Sequence, residues 1–459
     1  MSHTQKWRPV CPRLRRVQEK ARANAQERFT SLAHLIDVEA LRRSYHGQNA
    51  SAAAGIDGQT KAKYGENLEE NLTELHERMR SGSYRASPVR RQWIEKPGGG
   101  ERPLGIPTTE DKIVQGAVVE ILNCIYEEDF LGFSYGSRPG RSAHQALQAL
   151  QTVLQKGKVN WVVDADISKF FDSIDHKELM KVIQRRVSDR SLLRLIGKWL
   201  KAGAVDEDGR RICGKQGTPQ GGVISPLLAN IFLHYVVDEY VHDWRKTRAR
   251  GEVYIVRYMD DFVIACQEER DARELLEGLT LQLESHGLKL NGEKTRLIRY
   301  GSRWNSGKGE KSETFNFLGL THIAGKNRAG RYCVKRKTAS ERLNRGLKSI
   351  GLWCRKQRHK PIPWQYAQLN LKLIGHYNYY GVRGNFNALQ QFRHGVWRSW
   401  FNTLKRRSQK VNVHRLYAQL KTVFVLQTPW ITHPENWLSV NPGYLLGRAG
   451  CGNAARPVL

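Results

Sequence analysis

Two short acidic motifs, each flanked by apolar residues, have the composition of a catalytic site. In the first, Asp166 stands at the end of an apolar stretch that begins at Trp161. In the second, Asp260 and Asp261 are adjacent and have apolar runs on both sides, as at the tip of a buried hairpin. An Asp-Asp pair alone is usually a turn or a helix cap. The strand-like flanks and the second strand-end acid favour a shared site instead.

Three aspartates in one partly buried site need a cation. Burying ionised carboxylates is costly unless they are compensated, and neighbouring carboxylates raise one another's pKa by repulsion. All-carboxylate ligand sets suit Mg²⁺, so we expect Asp166, Asp260 and Asp261 to be catalytic and to hold two Mg²⁺ ions, with Mn²⁺ as a substitute. Ions about 3.5–4 Å apart could activate a 3′-hydroxyl and hold a leaving pyrophosphate. Asp164 and Asp172 are expected to be local hydrogen-bonding residues, since strand alternation puts Asp164 on the face of Asp166 but one step deeper.

Hydrophobic periodicity predicts the elements that must position these motifs. The predicted strands are 89–95, 102–106, 161–167 and 253–258, and the predicted helices are 13–46, 109–128, 142–155 and 177–200. This mixed order is typical of an α+β fold. A glycine-rich turn at 96–100 joins the first two strands into a predicted hairpin. From about residue 330 the pattern changes to basic amphipathic helices, whose apolar stripes are expected to form a core.

The charge is distributed very unevenly along the chain. The 459 residues carry a net charge of +31, of which +6 falls in residues 1–50, +2 in 51–320 and +23 in 321–459. Such a concentration of positive charge is typical of proteins that contact nucleic acid. Each neutralised phosphate releases counterions, so we expect binding to weaken steeply as salt rises.

The sequence argues against a membrane or secreted protein. The longest apolar run, 222–237, contains Pro226, Asn230 and His234 and falls short of the roughly 20 apolar residues of a spanning helix. The N-terminus has no apolar signal core. The seven cysteines form no CxxC pair, which disfavours a zinc ribbon or a disulfide framework. We therefore expect a cytoplasmic protein with no membrane partner.

Further sequence blocks occur in order over residues 30–425. They lie at 54–58, 94–107, 134–142, 217–230, 287–295, 315–319 and 377–380. Together with the two aspartate motifs, these blocks resemble a reverse transcriptase, most closely those encoded by group II introns. The resemblance implies a right-hand polymerase with four regions: a basic helical N-terminal extension (1–60), fingers and palm (61–320), a basic helical thumb or maturase X domain (321–425) and an irregular tail (426–459).

The resemblance also carries roles over to single residues. Lys96 and Arg102 match the fingers residues that grip the incoming triphosphate, and Phe171 matches an aromatic side chain that would clash with a 2′-hydroxyl. Gln220 matches the block that supports the templating pair and primer. Lys294 matches a basic residue proposed to protonate the departing pyrophosphate. Each role has a plainer alternative: solvent-exposed hairpin charges, core packing, loop capping and an ordinary surface lysine, respectively.

Two departures from the family pattern bear on specificity. Met259 stands where the family usually has Ala. Methionine is bulkier and more pliable than alanine, and this position would be near the primer terminus. Many relatives continue into a DNA-binding segment and a Cys-containing endonuclease, whereas only a short segment follows Glu435 here. We therefore expect no target cutting by this chain, and priming from existing 3′ ends or from strands nicked by another enzyme. Tyr377, Tyr379 and Tyr380 could stack on bases, although helix core is the plainer interpretation.

The expected function is RNA-directed DNA polymerisation with dNTPs on an RNA template. The chain would bind its parent intron RNA, extend a DNA primer or target, and assist intron splicing and mobility. One alternative is a free-standing relative that copies or extends DNA ends in repair, without an intron partner. Another is an RNA-binding splicing factor with an inactive polymerase, against which the intact aspartates count. The natural template and the oligomeric state stay open.

Overall fold

The computed structural model describes residues 11–95, 100–206, 208–212, 221–305, 311–407 and 411–433. The helices are α1 (Pro12–Ala23), α2 (Val38–Gly47), α3 (Lys61–Tyr64), α4 (Leu68–Arg80), α5 (Thr109–Asp129), α6 (Ala143–Lys156), α7 (Phe170–Ser173), α8 (His176–Gln184), α9 (Arg190–Lys201), α10 (Ser225–Leu233), α11 (Glu239–Thr247), α12 (Glu269–Ser285), α13 (Ser340–Lys356), α14 (Ile362–Tyr380), α15 (Phe386–Leu404) and α16 (Val413–Thr422). The strands are β1 (Val89–Glu95), β2 (Glu101–Ile106), β3 (Trp161–Asp166), β4 (Ala204–Val205), β5 (Arg211–Ile212), β6 (Val253–Tyr258), β7 (Asp261–Cys266), β8 (Arg296–Arg299), β9 (Thr314–Phe317), β10 (Leu320–Lys326) and β11 (Tyr332–Thr338). The predicted α+β class is confirmed.

The central sheet carries both aspartate motifs. Its strand order is β6-β7-β3-β8, and every neighbouring pair is antiparallel. Successive side chains enter different cores, because strand residues alternate between faces. Val163 and Ile264 pack into one core, whereas Val162 and Val263 pack into the other. Burial of both faces explains why these strands read as continuous apolar runs.

Helices cover one face of this sheet, and a helix with a second sheet covers the other. The first core is built mainly from α2, α4, α5, α8, α9, α10 and α12. The second core is built from α6 and the three-stranded sheet β11-β10-β9. The aspartate motifs thus lie at the edge of a layer that is packed on both sides, which restricts backbone movement there.

The strands on either side of the glycine-rich segment pair with each other, as the predicted hairpin requires. β1 and β2 pair in antiparallel register from Arg90 opposite Ile106 to Glu95 opposite Glu101. β4 adds to β1 in parallel, and β5 completes a four-stranded sheet in the order β2-β1-β4-β5. Lys96 lies outside the described residues, so only the hairpin's two strands can be described.

Two long predicted helices are each interrupted. The predicted helix 13–46 ends at Ala23 and resumes at Val38, because the Arg186 guanidinium donates hydrogen bonds to the carbonyls of Ala21, Asn24 and Glu27. The guanidinium therefore holds the chain in an irregular path that a helix would not allow.

The interruption of the predicted helix 177–200 has a related cause. Asp189 is the N-cap of α9 and accepts hydrogen bonds from its first-turn amides. The other oxygen of Asp189 also accepts from the amides of Leu32 and Ala33. One carboxylate thus starts α9 and also holds the segment between α1 and α2, and neither contact is visible in local periodicity.

The C-terminal helices begin slightly later than predicted. The predicted boundary at 320/321 falls at the start of β10, and β11 precedes the first helix, α13. The apolar stripes predicted to be core are indeed buried, with a core formed by Ile350, Cys354, Leu369, Leu373, Tyr377, Leu389, Phe392, Val396, Trp400, Leu404, Leu416, Leu420 and Leu426. Within the described ranges, no helix is both long and apolar enough to cross a membrane.

A histidine is buried in the second sheet without a hydrogen-bond partner. His322 on β10 is 0 % exposed and stacks on Phe315, with ring centroids 5.0 Å apart. Neither of its ring nitrogens has a hydrogen-bond partner among the described residues. Burial, followed by the charge of Arg336 opposite it on β11, lowers the pKa of His322 to about 3. The folded protein therefore keeps this ring neutral.

We predict that His322→Phe makes the protein less sensitive to acid. The unfolded chain binds a proton on His322 below about pH 6.5, whereas the folded chain does not, so stability is lost as pH falls from about 6.5 toward 3. In the wild type, this single group should lower the free energy of unfolding at pH 5 by about 1–2 kcal/mol relative to its value at pH 7.5. Urea unfolding of both proteins at the two pH values measures the difference.

His359→Phe is the matched control, because His359 is exposed. It should leave the pH dependence of the free energy of unfolding unchanged. An acid sensitivity of His322→Phe equal to that of the wild type would contradict the prediction.

Candidate active site

The strand register brings the two aspartate motifs together. Asp166 at the end of β3 lies directly opposite Asp261 at the start of β7. Residues opposite each other in antiparallel strands have Cα atoms about 4.5–5.5 Å apart. Tyr258 pairs with Asp261 across β6 and β7, so Met259 and Asp260 form the two-residue turn between them. We call residues 258–261 the aspartate turn.

The carboxylates of the aspartate turn are electrostatically strained. Burial raises the pKa of Asp261 to about 7, and the charges of Asp164, Asp260 and Asp166 act in the same direction. Burial raises the pKa of Asp260 as well, with Asp166 adding to the effect. The backbone amide of Leu318 donates a hydrogen bond to Asp261 and partly opposes the shift. The site therefore favours a bound cation.

The side chain of Asp166 already contacts a cation. Lys294 Nζ lies 3.0 Å from Asp166 Oδ2, and Asn291 Nδ2 lies 3.4 Å from the same oxygen. The backbone N–H of Asn291 also donates a hydrogen bond to the backbone carbonyl of Asp166 at 2.8 Å. The Lys294 side chain is 65 % exposed and reaches Asp166 from the surface. Asn291 belongs to a recognised sequence block, yet sequence reasoning gave it no role.

Asp164 is the deeper neighbour that strand alternation predicted. Its side chain is 19 % exposed, compared with 42 % for Asp166. Arg296 on β8 donates a hydrogen bond to Asp164 at 3.2 Å. Burial raises the pKa of Asp164, and Arg296 opposes the shift. Asp172, in contrast, is exposed on α7.

The donor set suits a hard cation, although the ligands have not converged. Among the described residues, no three His, Cys, Asp or Glu side chains are already gathered as a metal site. Asp166 and Asp261 are nevertheless paired across two strands, and Asp260 is adjacent to that pair. Carboxylate oxygens are the ligands that Mg²⁺ uses in proteins.

The remaining predicted site residues lie on elements around the aspartates. Phe171 is half-buried in α7, which follows Lys169 (φ +47°), and meets the buried ring of Phe170 edge to face at 5.3 Å. Arg102 is exposed on β2. Gln220 lies outside the described residues. Its neighbour Gly221 has φ +125° and lies so close to β2 that a Cβ would be 2.4 Å from the Gly105 carbonyl oxygen.

The sequence block 134–142 supports the aspartate turn from behind. A Cβ on Gly136 would lie 2.5 Å from the Met259 amide nitrogen and 2.7 Å from Met259 Cγ. Arg138 in the same block donates to Glu127 and to the carbonyls of Leu131 and Ser134. Its role here is therefore structural, and the glycine permits the close approach.

The three tyrosines of block 377–380 have different environments. Tyr377 is fully buried in the core of the C-terminal helices, in agreement with its plainer interpretation. Tyr379 donates a hydrogen bond to the Leu318 carbonyl at 3.0 Å, so it connects α14 to the residue that contacts Asp261. Tyr380 is half-buried and edge to face with Tyr379 at 4.8 Å.

Comparison with known proteins identifies the family of this chain. Residues 94–322 match the family model described as reverse transcriptase (RNA-dependent DNA polymerase). Protein YkfC of Escherichia coli K12 is 35 % identical over 297 residues, which cover 57 % of this chain and 76 % of that protein. Group II intron-encoded protein LtrA of Lactococcus lactis subsp. cremoris is 28 % identical over 462 residues, covering 84 % of this chain and 76 % of LtrA. A 91 kDa protein in the cob intron of Schizosaccharomyces pombe is 32 % identical over 244 residues, covering 51 % of this chain and 30 % of that protein.

The chain belongs to the reverse transcriptase family. Within that family it is of the group II intron-encoded reverse transcriptase and maturase type, and it is an RNA-directed DNA polymerase. Nucleic acid, including an RNA template, is its class of partner.

We predict that Gly136→Ala lowers the primer-extension rate by about 10²-fold, since a displacement of about 1 Å at a reacting group has an effect of that size. The added methyl must move the Met259 backbone, and Asp260 moves with it. Steady-state primer extension on an RNA template measures the change, and the Kd for primer–template should stay within about twofold.

Gly197→Ala is the control, because Gly197 lies in α9 and a Cβ there meets no atom within 4 Å. This variant should extend primers at the wild-type rate. If Gly136→Ala did so too, the close approach to Met259 would have no catalytic consequence.

Proposed function

We propose that the chain binds structured intron RNA, extends a primer 3′ end with dNTPs by two-metal-ion catalysis, and assists splicing and mobility of that intron. The observation that supports this most is the pairing of Asp166 with Asp261, beside Asp260 in the turn. Three carboxylates at the ends of neighbouring strands are a suitable ligand set for a pair of divalent cations. The match to an intron-encoded protein supports the intron partner.

The arrangement of the sheets supports a right-hand architecture. The central sheet with its helices would be the palm, the sheet β2-β1-β4-β5 the fingers, and the C-terminal helices the thumb. The N-terminal extension would comprise residues 1–60, with fingers and palm at 61–320 and thumb at 321–425. Since β10 and β11 complete the second core, we propose that the helical part of the thumb begins at Ser340.

The residues of the site would divide the reaction among them. Asp166, Asp260 and Asp261 would hold two Mg²⁺ ions, whose chemistry activates a 3′-hydroxyl and stabilises the leaving pyrophosphate. Lys294 contacts Asp166, and an ammonium group there could donate a proton to that pyrophosphate. Phe171, half-buried in α7, would exclude a 2′-hydroxyl.

The residues that contact the rest of the substrate are proposed from the family resemblance and the hairpin geometry. Lys96 and Arg102 would bind the incoming triphosphate, and Arg102 is exposed on β2. An arginine can bind phosphate oxygens in bidentate fashion. Gln220 would support the templating pair, since its neighbour Gly221 contacts the strand that carries Arg102.

The positive charge of the C-terminal third would hold the RNA. Residues 321–459 carry +23, whereas residues 51–320, which include the aspartates, carry only +2. Exposed basic residues occur along α13, among them Lys348, Arg355 and Lys356. Binding and chemistry would therefore be separate in the chain, and each could be changed without the other.

We predict that Asp260→Ala lowers primer extension by at least about 10³-fold, equivalent to about 4 kcal/mol of transition-state stabilisation, because a metal ligand is lost. Affinity for structured RNA should change by less than about twofold, since Asp260 lies in the near-neutral part of the chain. Mg²⁺-dependent extension of a DNA primer on RNA, alongside filter binding, measures both.

Asp172→Ala is the matched control, as an exposed aspartate six residues beyond Asp166. It should keep extension within about twofold of the wild type. Residual extension by Asp260→Ala clearly above background would count against the assignment of the catalytic aspartates.

The RNA-binding proposal predicts the result of removing three charges from α13. In the triple variant Lys348→Gln, Arg355→Gln and Lys356→Gln, the slope of log affinity against log salt should decrease by about 2–3, since each phosphate contact contributes about 0.7–0.9. Binding of group II intron RNA between 50 and 300 mM salt measures the slope.

The charge-matched control is the triple variant Lys181→Gln, Arg270→Gln and Arg273→Gln, which removes three cations that pair with Glu178, Glu274 and Glu269. Its salt slope should equal that of the wild type. Equal slopes in both triple variants would show that α13 does not contact the RNA.

A further inference from the structure

A buried ion pair lies directly behind the aspartate turn. Arg257 on β6 and Asp238 are both 0 % exposed. The Arg257 guanidinium donates to both carboxylate oxygens of Asp238, at 2.7 and 2.5 Å. Two fully buried charges are thus paired in a bidentate arrangement, which fixes the plane of the guanidinium.

The remaining guanidinium nitrogen reaches the turn itself. Arg257 Nη1 donates to the Met259 carbonyl at 3.0 Å and to Asn230 Oδ1 at 2.9 Å. Asn230 Nδ2 in turn donates to the Gly136 carbonyl at 2.6 Å. Gly136 is the residue whose Cα approaches the Met259 amide. One guanidinium therefore holds Met259 directly and, through Asn230, the residue packed behind it.

A hydrogen bond to the Met259 carbonyl acts directly on the backbone of Asp260. It belongs to the same planar peptide unit as the Asp260 amide, so fixing that oxygen fixes the orientation of the plane. The position of Asp260 Cα, from which its side chain projects, follows from that plane. Met259 is itself in the left-handed region (φ +59°), a conformation that L side chains adopt only at some cost in energy. The hydrogen bond from Arg257 to the Met259 carbonyl stabilises the turn in this conformation.

A π-helical turn brings the two partners of Arg257 onto one side of their helix. Asn230 lies in α10, and Asp238 ends the π-helical segment His234–Asp238 between α10 and α11. In a regular α-helix, residues eight apart would point about 80° away from each other. The extra residue of a π turn reduces that angle to about 20°. Such turns occur frequently at functional sites.

Stability alone does not account for this arrangement. A buried ion pair is often no better for stability than well-packed apolar residues of similar volume. Lysine would supply the same charge, but only the planar, five-donor guanidinium can serve Asp238, Asn230 and Met259 together. The arrangement requires arginine because of its geometry, and that geometry leads to the aspartate turn.

We propose that Arg257, Asn230 and Asp238 are positioning residues that hold the Met259 peptide and thereby align the Asp260 carboxylate with Asp166 and Asp261. They act through the aspartate turn and do not contact substrate. The inference rests on the proposed catalytic function of the three aspartates, and it assigns a cause to their alignment.

Two measurements on Arg257→Lys in the full chain test the proposal. Hydrogen–deuterium exchange without metal should show at least about tenfold faster exchange in peptides covering 255–264, with the rest of the central sheet unchanged. The Mg²⁺ concentration for half-maximal primer extension should rise about five- to tenfold, while the Kd for primer–template changes less than about twofold. Asn230→Ser keeps the ion pair and removes the bridge to Gly136, so it should give the same changes to a smaller extent. This variant replaces Arg257→Lys in both measurements if Arg257→Lys does not fold.

Arg186→Lys is the matched control. Arg186 is 2 % exposed and pairs with the half-buried Asp129 at 2.9 Å, but its other bonds go to the N-terminal segment. This variant should lower the thermal stability without altering exchange at 255–264 or the Mg²⁺ requirement. Wild-type exchange and Mg²⁺ dependence in folded Arg257→Lys and Asn230→Ser, or equal changes in Arg186→Lys, would overturn the proposal. Failure of the catalytic assignment is distinguishable, since it would appear as extension by Asp260→Ala.

Discussion

Electrostatic repulsion between the carboxylates at the ends of β3 and β7 is the constraint on which this structure depends. Asp166 and Asp261 are paired across two strands, and Asp260 is adjacent to them. Without compensation such a group would separate or take up protons, and the raised pKa of Asp261 shows the second tendency. Lys294 and the Leu318 amide supply part of the compensation. A site of this kind has free energy available for binding a divalent cation.

The surrounding fold prevents the carboxylates from moving apart. Both faces of the central sheet are buried, so its strands cannot slide or twist without disturbing a packed core. Three features contact the aspartate turn: the close approach of Gly136, the Arg257 network and the Leu318 amide. Most of the net positive charge lies elsewhere in the sequence, in the C-terminal third.

Much of this could be predicted from the sequence, because the informative patterns are local. The apolar flanks of Asp166 and Asp260 predicted two buried strands, and the glycine-rich turn predicted a hairpin. The helix breaks could not be predicted, because they depend on Asp189 and Arg186 contacting segments about 160 residues away in sequence. The role of Arg257 could not be predicted from the sequence either. It lies within a run that reads as an ordinary strand, and its partner Asp238 faces it only because a π turn shifts the helix register.

The contact between Leu318 and its two neighbours limits which amino acids can occupy that position. The Leu318 amide serves Asp261 while its carbonyl serves Tyr379, so the backbone and not the side chain makes both connections. Proline would remove the donor, and a β-branched residue would resist the left-handed backbone at φ +49°. Asparagine or glycine would satisfy both requirements. Homologues should therefore tolerate chemical variety here while rejecting residues on stereochemical grounds alone.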